Sequence, residues 1–247
     1  GGKGMRAVES PEEFADALQL ARGESRASFG DDRMLLERYL LRPRHVEVQV
    51  FADRHGSAVY LGDRDCSIQR RHQKIIEESP STALTPKLRR RMTEAALKLA
   101  RAVGYQNAGT IEFLLDEDGR FYFMEMNTRI QVEHPVTELV TGVDIVQEQL
   151  RIARGRRLSL KQEDVQIKGW AIECRINAEN PERDFMPCPG RVFYFHAPGG
   201  PGVRVDTHVY SDYRVPPHYD SLLAKIIAHG KDREEAVARM RRALAEC

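Results

Sequence analysis

Apolar and polar residues alternate with a period of two through the middle of the chain, and segments of helical period flank them. From Val46 to Leu61, Val-Glu-Val-Gln-Val-Phe and then Ala-Val-Tyr-Leu predict two strands around the turn Asp53-Arg54-His55-Gly56. Gly109 to Leu115 and Phe121 to Met124 predict a second pair around Asp118-Gly119, a strong two-residue hairpin signal. Thr85 to Val103 has helical spacing, with Pro86 at its first position and Gly104 past its end. Helices are also predicted from Pro11 (after Ser10 as N-cap) through about Arg22, from Gly142 to Arg154, and from Arg233 onward. Gly23 to Asp32 reads as a polar loop and Met34-Leu35-Leu36-Glu37 as a short strand. A boundary near Lys168-Gly169 leads into further strands and a Pro/Gly-rich stretch from Pro187 to Gly202. The mixture predicts an α+β fold rather than a simple doubly wound sheet.

The second strand pair carries candidate chemistry. If Asp118 and Gly119 form the turn, Glu117 faces Arg120 and Glu112 falls opposite Glu125, with Cβ atoms about 4.5–5.5 Å apart. Like charges in that position destabilise a sheet unless something sits between them, and Mg²⁺ or Mn²⁺ is the natural occupant. Asn127, two residues after Glu125, shares the face and offers a neutral oxygen. A lone strand glutamate is ordinarily just solvated; three oxygen donors on one face with an apolar face behind them favour a metal site. A slip of one residue would separate the two acids. The residues that follow include Arg129, which suits an anion, so the segment reads as a place for metal-bound phosphate or a small oxyanion.

Composition excludes more than it identifies. The 247 residues are 41% hydrophobic, enough for a sizeable core in one or two domains, and the net charge of +1 gives no electrostatic case for nucleic acid or an anionic membrane. Arg70-Arg71-His72-Gln73-Lys74 is basic but lacks the interleaved aromatics of a nucleic-acid surface. No apolar run approaches the roughly 20 residues that span a bilayer. Cys66, Cys174, Cys188 and Cys247 show no metal-site pairing and are expected to be reduced, buried thiols of a cytoplasmic enzyme. Gly1-Gly2-Lys3-Gly4 lacks the Walker pattern, so locally a phosphate-binding loop and a plain flexible loop are equally good readings. The chain opens inside that glycine-rich run and stops at Cys247 in an uncapped helical pattern, which leads to the expectation of a fragment.

Glu125 to Glu138, Glu-Met-Asn-Thr-Arg-Ile-Gln-Val-Glu-His-Pro-Val-Thr-Glu, resembles the signature of biotin carboxylases, a branch of the ATP-grasp superfamily. The resemblance runs over essentially the whole chain. It includes Gly1 to Met5, Glu37-Arg38-Tyr39-Leu40, Arg44 to Glu47, Arg64 to Lys74, Glu173 to Glu179 and Tyr219-Asp220-Ser221. Thr128 and His134-Pro135 suit the acyl-CoA carboxylase type better than the pyruvate carboxylase type. The fold it implies is an ATP-grasp fold: a partial lid subdomain (1–39), a core lobe (40–168) and a truncated biotin carboxylase C-terminal domain (169–247).

The site residues follow from the same resemblance. Gly1, Gly2, Lys3, Gly4 and Met5 would cover the phosphates of ATP. Glu37, Arg38 and Leu40 would hold the adenine edge, with Leu114 on its face, and His45, Gln69 and His72 would surround the ribose and phosphates. Glu112, Glu125 and Asn127 would bind metal, with two divalent ions expected. His72 and Lys74 fall on one side of an extended chain, and Lys74 would meet bicarbonate or the γ-phosphate. Arg129, Gln131 and the backbone of Val132 would hold bicarbonate, and Glu133 would remove its proton, a task for which a carboxyl of ordinary pKa, about 4.3, needs tuning. Bicarbonate attacks ATP, carboxyphosphate releases CO₂, phosphate takes a proton from biotin, and Arg175 stabilises the enolate-like oxygen. Implied partners are a biotin carboxyl carrier protein or domain, carboxyltransferase subunits and a second copy in a homodimer. The reaction would be the first half of an acetyl-CoA or related acyl-CoA carboxylase, feeding fatty acid synthesis. Two alternatives stand beside it: another ATP-grasp ligase, which Arg129 to Pro135 argues against, and a truncated, non-catalytic nucleotide-binding module.

Overall fold

The computed structural model describes residues 4–247, so the assignments of Gly1, Gly2 and Lys3 lie outside the described residues. Three strands, β1 (Arg44–Ala52), β2 (Ala58–Arg70) and β3 (Gln73–Ser79), form a meander, and β4 (Asn107–Leu115) and β5 (Phe121–Asn127) form a hairpin. β6 (Trp170–Asn177) is followed by the short β7 (Glu179–Asn180), β8 (Met186–Pro187) and β9 (Gly190–Arg191), then β10 (Val203–Thr207), β11 (Arg214–Val215) and β12 (Leu222–Gly230). Eight of these make one antiparallel sheet in the order β10-β12-β6-β3-β2-β1-β4-β5. The helices are α1 (Phe14–Phe29), α2 (Pro86–Ala102), α3 (His134–Thr141), α4 (Ile145–Ala153) and α5 (Arg233–Glu246).

The expected β1–β2, β4–β5, α2 and α5 elements are present. Thr85 caps α2 by accepting from the Leu88 N–H at 3.3 Å, and Gly104 beyond it has φ +61°. Helix α1 corrects the reading of Gly23 to Asp32 as loop, since it runs through Gly23 to Phe29 and ends at Gly30, φ +73°. An interior glycine costs a helix about 1 kcal/mol, which the strong formers around it outweigh. Met34 to Glu37 is not a strand: it pairs with none of the described strands, and Leu35 and Leu36 are exposed. The helix predicted from Gly142 begins instead at Ile145, capped by Asp144; Gly142 ends the unforeseen α3 in a left-handed conformation. All four cysteines are free as expected, but only Cys66 and Cys174 are buried; Cys188 and Cys247 are exposed. No helix of the described residues is long and apolar enough to cross a membrane.

The sheet has two covered faces. Val46, Val48 and Val50 of β1 join Ile111, Phe113 and Leu115 of β4 against Met92, Ala96 and Ala100 of α2. On the opposite face Phe51, Leu61 and Ala108 pack on Ile145 and Ile152 of α4. β1 is therefore buried on both sides from Val46 to Ala52, and its alternating polar residues, Glu47 and Gln49, point into the protein rather than into water.

The boundary at Lys168-Gly169 does not interrupt the sheet, because β6 pairs directly with β3. Gly169 makes that passage possible. It has φ +72°, and a Cβ there would lie 2.2 Å from the Gly230 carbonyl oxygen and 2.7 Å from His229 Nε2. Gly169→Ala is expected to destabilise the protein by about 1–3 kcal/mol from backbone strain alone, with the clash adding to it. A denaturation midpoint unchanged from wild type would refute this.

Candidate active site

Four adjacent strands place Arg64, Glu47, Glu112 and Glu125 in one row, through the pairs Glu47↔Arg64, Glu47↔Glu112 and Glu112↔Glu125. The expected Glu112–Glu125 pairing is present, but two features absent from the sequence reading produce it together. The turn is a three-residue loop: Asp116 N–H donates to the Arg120 carbonyl at 2.8 Å, Gly119 N–H donates to the Asp116 carbonyl at 3.1 Å, and Gly119 has φ +77°. That loop pairs Leu115 with Phe121, one residue out of the expected register, and an irregularity between Glu112 and Phe113 restores it.

Like charges in the row are separated by donors. Lys74 Nζ lies 2.6 Å from Glu47 Oε2, 2.9 Å from Glu112 Oε1 and 2.7 Å from Glu133 Oε1. The other oxygen of Glu133 accepts from Arg175 Nη2 at 2.9 Å, and Arg175 also grips Glu77 Oε1 with Nε at 2.7 Å and Nη2 at 2.5 Å. Arg64, fully buried, donates to Glu47 at 2.5 Å, Gln49 at 2.8 Å, Thr137 at 2.9 Å, Thr110 at 3.2 Å and Gln131 at 2.9 Å. His45 Nε2 lies 2.6 Å from Glu112 Oε2 while its Nδ1 lies 2.8 Å from Gln69 Nε2, a pattern that the neutral imidazole satisfies.

This packing sets the charge states. Burial opposes ionisation of Glu112, yet the His45 hydrogen bond and the Lys74 ammonium outweigh it and hold the carboxyl down to about 2. For Lys74 burial again opposes the charge, and Glu47, Glu133 and Glu112 more than compensate, raising the ammonium. Burial and the Glu47 charge push the Cys66 thiol well up, so it stays protonated. His45, Glu47 and Glu112 bring ligand atoms within 4.8 Å of one another, as do Glu47, Cys66 and Glu133. In both clusters the ammonium of Lys74 already bridges the carboxylates.

The expected metal donors sit at the open end of the row. Glu125 is exposed, and Asn127 Nδ2 reaches both Glu112 Oε1, at 2.8 Å, and Glu125 Oε1, at 3.5 Å. One amide donor thus occupies the gap between two carboxylates. Glu125 keeps lone pairs for a hard cation, whereas Glu112 already accepts from His45, Lys74, Asn127 and Gln131, so Mg²⁺ or Mn²⁺ fits this oxygen set by displacing one of those donors from Glu112.

Of the other predicted residues, Gln131 joins this network and the rest do not bond to its carboxylates among the described residues, apart from His45 above. Arg129 is exposed and donates only to the Ile130 carbonyl, at 3.1 Å, among the described residues. Gln131 is buried and engaged at both ends, accepting from Arg64 and donating to Glu112 at 2.6 Å. The Val132 carbonyl takes Lys225 Nζ at 2.9 Å. His72 is not on an extended chain with Lys74: Arg71 and His72, at φ +50° and +63°, form the tight turn between β2 and β3. Glu37, Arg38 and Met5 are exposed, Leu40 is buried, and Gly4 and Leu114 are half-buried.

Residues 1–161 match the family described as Carbamoyl-phosphate synthase L chain, ATP binding domain, and residues 173–247 match the Biotin carboxylase C-terminal domain. The chain is 59% identical over 247 residues to the Biotin carboxylase of Nostoc sp., covering all of this chain and 55% of that protein. It belongs to the biotin carboxylases of the ATP-grasp superfamily. A crystal structure of a biotin carboxylase–beta-gamma-ATP complex from Campylobacter jejuni superposes with TM-score 0.95 at 47% identity, over 100% of this chain and 55% of that one. The biotin carboxylase domain dimer of Hydrogenobacter thermophilus 2-oxoglutarate carboxylase, with MgADP, ADP and bicarbonate, matches with TM-score 0.94 at 49% identity, over 99% of this chain and 54% of that one. The chain spans about half the length of the curated relatives it matches.

In this chain, sequence reasoning missed Arg64, Gln49, Thr110, Glu77 and the linking role of Glu47. Glu47 and Gln49 looked like the wet side of an alternating strand. The available signal was Arg64-Asp65, charges inside an otherwise strand-like run, which only a buried partner could satisfy.

Proposed function

We propose that this chain carries the catalytic core for ATP-dependent carboxylation of biotin by bicarbonate. The observation that carries the reading is Glu133. Its carboxylate is buried and held by Lys74 and Arg175, and the same Lys74 ammonium bonds Glu112 of the Glu112–Glu125 pair. A base held by two cations, next to carboxylates that would place metal-bound phosphates, matches deprotonation of a small oxyanion attacking a phosphoryl group.

Glu112, Glu125 and Asn127 would hold Mg²⁺ or Mn²⁺, which when bound neutralises charge on the phosphates. Arg129, exposed and without an acidic partner among the described residues, would receive bicarbonate beside the Val132 backbone. Lys74 would keep Glu133 oriented and meet the developing phosphoryl charge, while Arg175 would turn from Glu133 to the biotin oxygen. Gly4, Met5, Glu37, Arg38, Leu40, His45, Gln69, His72 and Leu114 remain the proposed ATP contacts. Biotin on its carrier, a carboxyltransferase and a second copy of the chain are the proposed partners. Thr128 and His134-Pro135 favour an acyl-CoA as the final acceptor.

The test is ATP turnover with free biotin, with and without bicarbonate, on this chain and on a version extended to the length of its relatives. Turnover of the extended protein that ignores both bicarbonate and biotin would sink the reading. Glu112→Gln with Glu125→Gln is expected to raise the Mg²⁺ concentration for half-maximal turnover roughly tenfold or more, comparable with the loss of a ligand's support at a metal site. An unchanged Mg²⁺ titration would remove the pair from the metal site.

A further inference from the structure

Behind Arg175 lies a second pair of acids that the proposed chemistry does not use. Glu77 on β3 and Glu173 on β6 are direct cross-strand partners, and both are fully buried. Ile227 of β12 flanks Glu173 on the other side. Their neighbour along β6 on the same face, Ala171, joins Ile227 under Val136 and Val140 of α3, so no water-facing edge is available. Glu77 Oε2 and both oxygens of Glu173 have no hydrogen-bond partner. The charges facing them are Arg175 on β6, Lys225 on β12, Glu133 at the start of α3 and, on the Glu77 side, Glu47 on β1. Lys225 is itself drawn to Val132 and to Asp206, 3.4 Å away, and Glu138 farther along α3 is paired with Arg204.

Two ionised carboxylates can only accept, so side by side in a dry interior they leave each other's oxygens orphaned and repel. One proton removes both problems: the protonated acid donates to its neighbour, and a single negative charge remains to face Arg175. Burial works the same way, raising Glu77 to about 7 against the pull of Arg175 and Glu173 well above the ordinary range; the Glu77 charge raises Glu173 further, and Glu133 and Glu47 raise Glu77.

We propose that Glu77 and Glu173 share one proton beneath Arg175, and that Glu173 thereby positions the Arg175 guanidinium against Glu133. If the proton left, a second negative charge would pull Arg175 back from Glu133 and the substrate side. Glu173 is a positioning residue; its catalytic consequence rests on the function proposed above, whereas the shared proton does not.

Carboxyl ¹³C NMR titration of the protein reads the proton directly. One glutamate carboxyl is expected to be protonated at neutral pH and to disappear from that position in Glu173→Gln, with Glu77→Gln perturbing the same resonance. A wild type with every glutamate ionised at neutral pH, or a protonated signal that survives both substitutions, overturns the proposal whatever the enzyme does. In the extended, active protein, wild-type bicarbonate-dependent turnover is expected to fall on the alkaline side as the pair loses its proton. Glu173→Gln, neutral at every pH, moves that limb by about one unit or more while the KM for ATP stays within about twofold, and Glu173→Ala does not restore it. Identical pH profiles for wild type and Glu173→Gln would overturn the positioning role. Failure of the wild type to turn over would count against the proposed function and leave the NMR result to decide the shared proton.

Discussion

Glu133→Gln is expected to lower bicarbonate-dependent ATP turnover by roughly 10²–10⁴-fold, the usual contribution of a positioned general base. The substitution preserves the shape of the side chain and one oxygen for Lys74 or Arg175, so the fold and the proposed adenine contacts, which lie on other elements, stay in place. ATP binding measured by calorimetry should therefore change only a few-fold. Both Glu133 oxygens are committed, at 2.7 Å to Lys74 and 2.9 Å to Arg175, so an amide must turn its NH₂ toward one of two cations. That repulsion adds to the loss of the base and places the effect on kcat. Normal turnover in this variant would remove Glu133 as the base; a purely KM effect would reassign it to substrate binding.

Arg64→Met is expected to have the largest effect on stability, about 3–5 kcal/mol, the loss typical of removing one partner from a buried ion pair. At this chain length that lowers Tm by roughly 6–20 °C. The guanidinium is fully buried and serves five acceptors on β1, β4, α3 and the loop before it. Methionine fills much of the volume but leaves the oxygens of Gln49, Gln131 and Glu47 without their donor. Glu47 then has only Lys74, so the ammonium is drawn toward it and away from Glu133. Thermal or urea unfolding checks the prediction, and a loss below about 1 kcal/mol would show that Lys74 and local rearrangement suffice.

The two variants divide the site into parts that were legible in the sequence and parts that were not. Glu133 was legible because it lies in a contiguous run with Glu125, Asn127 and Arg129, which a strand end and the following loop bring together. The hairpin was legible too, although its correct pairing needed a three-residue loop and a compensating bulge rather than the simple turn. Arg64 was not legible. Its partners come from residues 47 to 137, and nothing local distinguishes a buried arginine on a strand from a solvated one. Met34 to Glu37 failed for the related reason that apolar spacing suggests a strand without supplying a neighbour to pair with.

By itself the sequence determined the types of most elements, the facing of Glu112 and Glu125, and the family, because these rest on local periodicity, turn chemistry and contiguous motifs. Only the tertiary structure decided that Lys74 joins three carboxylates, that Arg64 anchors the row, and that Glu77 meets Glu173 behind Arg175. Those contacts cross from β2 and β3 to β1, β4, α3 and β6. Strand order, bulges and burial on both faces of the sheet set them, and the pattern of any single segment does not encode those three properties.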